Sequence, residues 1–288
     1  MTPAGRDPCV PGAGPVGRGA AVRELVRWSG TRCGTVLSVH RRAIYLRFDD
    51  ELMALVGPGV EAGPLHLAAG STALPPARPG EPVRIDGIRV TARRWAVRCD
   101  VPDRIGVLPE SSALLAARAG QLPPAASPPL RRDVQFPPEV PVPAAEIVAA
   151  VRAGDLGAAA GLLGGRGPGL TPAGDDVLAG LLLAARALRG PAAEAWLTAV
   201  ATEVRTTVHA AAFLRWAARG QGLRSVHDWM AAVAAGTDPE PARRRLARIG
   251  ASSGRCLLAG LRLGIAQLPV DTQSSRAGEP AGLWQRTS

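Results

Sequence analysis

The sequence predicts an α+β protein in which a small antiparallel β domain, either a sandwich or a barrel, precedes an all-α domain. Two patterns along the 288 residues indicate this arrangement. Between about Ala20 and Val101, short stretches of β-branched and long apolar residues alternate with Gly and Pro, as in short strands. From Ala144 onward, apolar residues recur with the 3.6-residue period of helices, and most such stretches end in Gly, which is typical just past a helix C-terminus.

The domain boundaries are predicted from the same changes in composition. We expect a disordered leader at residues 1–19, a β-rich domain at 20–120, a Pro-rich linker at 121–143, a helical domain at 144–268 and a disordered tail at 269–288. Within the β-rich domain, the segment VRIDGIRV (Val83–Val90) has Asp-Gly at its centre and predicts a hairpin. Ser111 is placed to cap a helix that continues to Ala119.

The composition argues against a nucleic-acid partner and against a cysteine-based site. The formal charge of +10 comes from 34 basic and 24 acidic residues, and every basic residue is arginine. We attribute this to compositional bias and expect no nucleic-acid partner, because aromatic residues, at 3%, leave few platforms for stacking bases. Cys9, Cys33, Cys99 and Cys256 form no CxxC pair, so neither a zinc site nor a disulfide framework is predicted.

We expect a soluble cytoplasmic protein with no membrane partner. The first twenty residues contain Pro and Gly where a signal peptide needs a continuous apolar run. The apolar stretch Val177–Leu188 is interrupted by Arg186 and is too short to span a bilayer.

The segment GRGPGLTPAGDD (Gly165–Asp176), which runs directly into an apolar helical stretch, is the strongest functional signal. Its glycines allow backbone conformations closed to other residues and let the main chain approach a ligand. Thr171 and Pro172 suit an N-cap and a first helical position, although the cap could equally fall nearer Gly174. In either case, exposed N–H groups and the positive end of a helix dipole favour phosphate or carboxylate. The candidate substrate-binding residues of this loop are Gly167, Gly169, Thr171 and Gly174.

Asp175 and Asp176 are the candidate catalytic residues. Either one could simply stabilise the helix dipole, which is common for Asp in a first helical turn. Adjacent helical positions point about 100° apart, so we expect one to brace the loop and the other to enter the cavity. There it would orient a substrate amide, act as a base or hold Mg²⁺. No dedicated metal site or cofactor is predicted, with Mg²⁺ left as an option.

A second glycine-rich stretch, GASSGRCLLAGLRLG (Gly250–Gly264), repeats part of the first. Its GRCLLAGL aligns with GDDVLAGL when Gly254 is placed on Gly174, an offset of 80 positions (254 − 174). Two interpretations stay open: a chance match or tight helix packing in an Ala/Leu/Gly-rich chain, and a meaningful repeat. If the repeat is meaningful, two glycine-rich helix entrances converge on one pocket. Ser252, Ser253 and Gly254 join the candidate substrate-binding residues.

The glycine loop and the histidines do not match three familiar site patterns. No GK[ST] follows the glycine loop, and the loop does not match the GxGxxG dinucleotide fingerprint between a strand and a helix. His209 and His227 lie on separate predicted helices without HExxH spacing, so we interpret both as core or surface histidines.

The phrase GRGPGLTPAGDDVLAG (Gly165–Gly180) resembles the signature of the AllH-type subunit of oxamate carbamoyltransferase, a bacterial family formerly catalogued as a domain of unknown function and associated with anaerobic allantoin degradation. The resemblance implies transfer of a carbamoyl group between oxamate and phosphate: oxalurate and phosphate would give oxamate and carbamoyl phosphate, or the reverse. It also implies a small anionic substrate and companion enzyme subunits.

Two positions depart from the family pattern. The second glycine motif has Arg255 and Cys256 where the family has an aspartate in S-G-x-D. The family also has a serine shortly after a Thr-Thr pair, whereas Thr206 and Thr207 here lead into Val-His-Ala. Two alternatives therefore stay open: a Mg²⁺-dependent phosphoryl-transfer enzyme, and a non-catalytic ligand-binding subunit.

Overall fold

The computed structural model describes residues 17–27, 30–68, 73–118, 138 and 142–269. Residues 1–16 of the predicted leader, nearly all of the predicted linker and residues 270–288 of the predicted tail lie outside the described residues. The described chain forms a curled β-sheet followed by a helical domain, as the sequence predicts.

The N-terminal domain is an eight-stranded half-barrel with the strand order β1-β5-β4-β3-β2-β6-β7-β8. The strands are β1 (Gly17–Arg18), β2 (Arg32–Val39), β3 (Ala43–Phe48), β4 (Glu51–Val56), β5 (His66–Ala68), β6 (Pro82–Ile85), β7 (Arg89–Thr91) and β8 (Ala96–Arg98). Alternation places Ile44, Leu46 and Phe48 on the buried face of β3. The Asp-Gly hairpin is confirmed between β6 and β7, where the Asp86 carboxylate accepts a hydrogen bond from Arg89 N at 3.0 Å.

The sheet departs from a purely antiparallel arrangement at one pair. β4 and β5 run parallel, because the loop at residues 57–65 carries the chain back to the starting end of β4. At the edge formed by β1, Arg18 N donates to Pro102 O at 2.9 Å, and Arg104 N donates to Arg18 O at 2.7 Å. The segment after β8 therefore lies against the first strand, and the curled sheet nearly closes.

The start of the described chain differs from the predictions. Gly17 and Arg18, assigned to the leader from sequence, form β1 and pair with β5. The next element is a helix, α1 (Ala20–Arg27), where the sequence interpretation placed strands. Its residues Ala21, Val22 and Leu25 have helical spacing and are buried, so packing on the sheet favours a helix.

The helical domain includes one helix from the predicted β-rich region. This helix, α2 (Ser111–Arg118), buries Leu114 and Ala117 in the core of the helical domain. The remaining helices are α3 (Ala144–Ala153), α4 (Leu156–Leu163), α5 (Ala173–Arg189), α6 (Glu194–Glu203), α7 (Val208–Ala218), α8 (Arg224–Ala235), α9 (Glu240–Ala247) and α10 (Ser253–Gln267). Left-handed glycines end α3 at Gly154 and α8 at Gly236, as the sequence predicts.

Helices α5 and α10 form the centre of this domain and run parallel, with direct backbone contact. A Cβ atom at Gly180 would lie 2.2 Å from Leu257 O, and one at Gly260 would lie 1.9 Å from Val177 O. These two contacts are reciprocal, because Val177 and Gly180 correspond to Leu257 and Gly260 under the 80-residue offset. The repeated sequence therefore forms a repeated contact that brings both helix N-termini to the same end of the domain.

The sheet and the helices share a small apolar core and polar contacts. Leu52 and Leu65 of the sheet domain pack with Trp216 of α7. The Glu61 carboxylate accepts hydrogen bonds from the backbone N–H and the hydroxyl of Ser225, in the first turn of α8. A side chain from the sheet domain therefore caps a helix of the other domain.

Gly260→Ala is expected to lower the free energy of unfolding by about 1–3 kcal/mol, because the added methyl group meets backbone of α5 that cannot rotate away. The matched control is Gly161→Ala in α4, where a Cβ atom meets nothing within 4 Å. That substitution is expected to stabilise the protein by about 0.5–1 kcal/mol through helix propensity. Equal effects of the two variants in denaturant unfolding would contradict the backbone contact.

Candidate functional site

The glycine loop connects α4 to α5 through a tight, hydrogen-bonded path. Arg166 N donates to Leu163 O at 3.1 Å, and Gly174 N donates to Arg166 O at 2.8 Å. Three loop glycines have left-handed backbone: Gly165 (φ +69°), Gly167 (φ +115°) and Gly169 (φ +99°). The loop therefore needs glycines for its conformation as well as for close approach.

Helix α5 begins one residue later than it would if Thr171 were its N-cap. Pro172 occupies the N-cap position, no side chain caps the helix there, and Ala173 is its first residue. Proline holds the extended backbone of the N-cap (ψ 145°) without needing a hydrogen-bond partner for its nitrogen. Thr171 is thereby left outside the helix.

Asp175 braces the loop. Its side chain is 2% exposed, with Oδ1 accepting from Gly165 N at 3.0 Å and Oδ2 accepting from Thr206 Oγ1 at 2.5 Å. Burial raises the pKa of this carboxyl, and the hydrogen bonds from Thr206 and Gly165 oppose that rise. Both carboxylate oxygens are therefore engaged within the chain, which favours a positioning role over contact with a substrate.

Asp176 has a different environment. Its Oδ2 atom is buried and accepts no hydrogen bond from the described part of the chain. Burial raises the pKa of this carboxyl from 3.8 to about 7, and the negative charge of Asp175 adds to the rise. The hydroxyls of Ser253 and Thr171 lie beside it and lower the pKa in part. Both protonation states of this carboxyl are therefore accessible near neutral pH.

The two glycine-rich helix entrances lie side by side. Thr171 Oγ1 is 3.5 Å from Ser253 Oγ, and Ser252 occupies the N-cap position of α10. The positive ends of two parallel helices therefore lie next to Asp176. The two helix entrances therefore meet, as the sequence predicts, and bring Thr171, Ser253 and Asp176 together.

Gly174 and Gly254 serve the packing of their own helices. A Cβ atom at Gly174 would lie 2.1 Å from Leu163 O, and one at Gly254 would lie 1.7 Å from Leu246 O. Each glycine thus lets its helix start against the end of the preceding helix. The nearest contact of each is with protein backbone.

Gly167 lies close to a backbone donor at the start of α5. Of the first four N–H groups of α5, Gly174 N donates to Arg166 O and Asp176 N donates to Pro172 O. The N–H groups of Ala173 and Asp175 have no acceptor among the described residues. A Cβ atom at Gly167 would lie 2.9 Å from Ala173 N, at hydrogen-bond distance, so glycine leaves that space for another atom.

Sequence reasoning missed the contribution of the Thr-Thr pair. Thr206 holds Asp175, and Thr207 caps α7 by accepting from Ala210 N at 3.0 Å while its hydroxyl donates to Leu170 O. The N-cap position of Thr207 before a helical stretch was a usable signal. The contacts with the glycine loop were not, because they join residues more than 30 positions apart.

The two histidines have different surroundings. His227 is buried, and its ring nitrogens contact Val107 O at 3.2 Å and Gly222 N at 3.1 Å. It is a core histidine with both nitrogens satisfied, as predicted. His209 is also buried but contacts polar groups of the sheet domain.

The described residues contain no cluster of three or more His, Cys, Asp and Glu side chains arranged to hold a metal ion. Within the same residues, no helix combines the length and apolar character needed to cross a bilayer.

A segment of the helical domain matches the model of a known family. The family is described as oxamate carbamoyltransferase subunit AllH, and its model matches residues 163–265. This segment begins at the last residue of α4 and includes the glycine loop, both aspartates and most of α10. The relation predicted from the glycine loop is therefore confirmed over this segment. No curated protein and no solved structure gives a significant match.

Asp176→Asn is expected to stabilise the folded protein above about pH 7. Between pH 3.8 and about 7 the folded chain keeps a proton that the unfolded chain has lost, so the free energy of unfolding falls as pH rises through that window. The asparagine variant carries no charge and avoids this loss. Thermal unfolding measured from about pH 4 to about pH 8 should show the two proteins diverging with pH.

A matched control for this experiment is Asp155→Asn, which removes one carboxylate from an exposed helix cap that Asn also satisfies. A constant difference between wild type and Asp176→Asn across the whole pH range would contradict the raised pKa of Asp176.

Proposed function

We propose that the protein is a subunit of a carbamoyltransferase that moves a carbamoyl group between oxamate and phosphate, with Asp176 as the acid–base group. One observation carries the proposal: the carboxyl of Asp176 has a buried, unpartnered oxygen beside the N-termini of two parallel helices. This arrangement lies inside the segment that matches the AllH family. The description of that family as a subunit supports companion subunits for this chain.

The anionic part of the substrate would bind at the start of α5. The N–H groups of Ala173 and Asp175 have no acceptor among the described residues, and the position that a Cβ atom of Gly167 would take lies 2.9 Å from Ala173 N. The dipoles of α5 and α10 add positive potential at the same place. Oxalurate, oxamate, phosphate and carbamoyl phosphate all present oxygens that such donors stabilise.

Asp176 suits proton transfer in both directions, because its pKa of about 7 keeps both protonation states populated at neutral pH. In one direction, a phosphate oxygen attacks the carbamoyl carbon of oxalurate and the carbon–nitrogen bond breaks. Protonated Asp176 donates its proton to the departing nitrogen, which gives oxamate, and regains the proton that hydrogen phosphate loses. In the other direction the same carboxylate takes a proton from the oxamate NH₂ group.

Asp175 and Thr206 would act by positioning. Their hydrogen bonds fix Gly165 at the start of the glycine loop, and Thr207 fixes Leu170 near its end. The loop is thus held at two points on opposite sides of Gly167. Ser253 and Thr171 keep their hydroxyls beside Asp176, where they contribute donors for the substrate or for the ionised carboxylate.

Gly167→Ala is expected to weaken the binding of carbamoyl phosphate or oxamate by about 10- to 100-fold, the equivalent of one hydrogen bond to a charged group. Gly169→Ala is the matched control, since Gly169 also has positive φ, in the same loop, but a Cβ atom there meets nothing within 4 Å. Calorimetric titration of both variants and wild type with carbamoyl phosphate, oxamate, oxalurate and phosphate measures the difference.

Equal weakening by both alanine variants would assign the glycines to loop conformation alone and contradict an anion site at Ala173 N. Loss of binding when a chelator is added would instead favour phosphoryl-transfer chemistry with Mg²⁺.

Asp176→Asn is expected to lower carbamoyl transfer by about 10²–10⁴-fold, the usual contribution of a general acid or base, while anion binding persists. The neutral amide keeps the size of the side chain and a hydrogen-bond donor group but cannot act as an acid or a base. Turnover is measured by carbamoyl phosphate formation in the presence of the companion subunits. Substrate binding with no turnover in the wild-type complex would favour a non-catalytic ligand-binding subunit.

A further inference from the structure

A group of polar and aromatic side chains outside the glycine loop lies where the sheet domain meets α7. Ser38 lies in β2, directly opposite Tyr45 of β3, so their side chains share one face of the sheet. The pairing register shifts between Val36 and Ser38, which is a β-bulge at Leu37. Bulges commonly re-aim a side chain next to a functional site. Here the re-aimed residue is Ser38. Its side chain faces His209, which lies in the first turn of α7.

The hydroxyl of Ser38 is held between two imidazole rings. Ser38 Oγ lies 3.1 Å from Nε2 of His209 and 3.0 Å from Nε2 of His40. Tyr45 packs edge-on against His209, with ring centroids 4.5 Å apart, and against His40 at 5.9 Å. The tyrosine ring therefore fixes both imidazoles in the orientation that points their Nε2 atoms at the hydroxyl.

A serine hydroxyl has one proton, so it donates to one imidazole and accepts from the other. His209 is 6% exposed and lies at the positive end of α7, and burial together with the charge of His40 lowers its pKa. It is therefore suited to stay neutral and donate Nε2–H to Ser38 Oγ. His40 is exposed and lines a surface cavity of about 360 Å³, so its ring is in contact with solvent.

We propose that Ser38 is a reactive serine, activated by His40 as base and by His209 as hydrogen-bond donor, that accepts small acyl groups from activated carbonyl compounds. Ser38 Oγ attacks the carbonyl carbon, its proton passes to His40 Nε2, and the bond from that carbon to the leaving group breaks. The Nε2–H of His209 orients the hydroxyl so that its proton points at His40. The negative charge that forms on the carbonyl oxygen then expels the leaving group, which takes up the proton from His40. The product is an ester of Ser38, and water later releases the acyl group.

This site goes beyond the proposed carbamoyl transfer and does not use the glycine loop. Its substrate class, an activated acyl or carbamoyl compound, needs only a carbon electrophile small enough to reach the half-buried Ser38 from the side of His40. Ser38 and His209 come from distant parts of the chain, 171 positions apart. Only the packing of the sheet against α7 assembles the site.

The test is reaction of the full chain with p-nitrophenyl acetate, followed by release of p-nitrophenolate and by peptide mass spectrometry. We expect an acetyl group on Ser38 and none there in Ser38→Ala. His40→Gln is expected to slow acetylation of Ser38 by about 10²-fold, the usual contribution of a general base. His209→Phe, which keeps a ring against Tyr45 but removes the donor, should slow it as well.

Ser112→Ala, at an exposed serine on α2, is the matched control and should leave both readouts at the wild-type level. Thermal unfolding of each histidine variant separates loss of reactivity from loss of fold. Three results would overturn the proposal: acetylation of Ser38 no faster than that of Ser112, an acetyl group that stays on His40, or equal rates in wild type and a folded His40→Gln.

Discussion

Direct backbone contact between α5 and α10 is the constraint on which the candidate site depends. At Gly180 and Gly260 each helix lies against carbonyl oxygens of the other, at a separation that any side chain would prevent. Because the helices are parallel, this contact places both N-termini at one end, where Thr171 and Ser253 come within 3.5 Å. A wider helix pair would separate these hydroxyls and expose Asp176 to water, which would remove the cause of its raised pKa.

The adjacent aspartates show how tertiary contacts divide two identical side chains. Helix geometry points them about 100° apart, which sends Asp175 toward Thr206 and the loop backbone and Asp176 toward α10. Asp175 meets two donors and becomes part of the framework. Asp176 meets few donors and keeps an oxygen without a partner, which costs stability that a purely structural carboxylate would not cost. Such a cost is common where a side chain is kept for chemistry.

Local pattern was sufficient to predict the glycine loop, the helices that follow it and the hairpin at Asp86, because each depends on neighbouring residues. The offset of 80 positions also predicted that two helix entrances meet. The sequence did not show which of Asp175 and Asp176 braces the loop, because that role depends on a hydrogen bond from Thr206, which is 31 positions from Asp175. The helix at Ala20–Arg27 and the parallel pair β4 and β5 were missed for a similar reason: packing against distant segments decides both.

The Glu61 cap on α8 has a consequence for cooperativity. The carboxylate that satisfies the start of this helix comes from the sheet domain, and the side-chain amide of Gln221 pairs with both backbone groups of Gly106 in the same region. Separating the domains would leave the buried backbone N–H of Ser225 and the side-chain amide of Gln221 without these partners. The sheet and the helices are therefore expected to unfold as one thermodynamic unit, although composition divides the chain in two. Residues 163–265, which match the family model, are therefore only part of the unit that folds cooperatively.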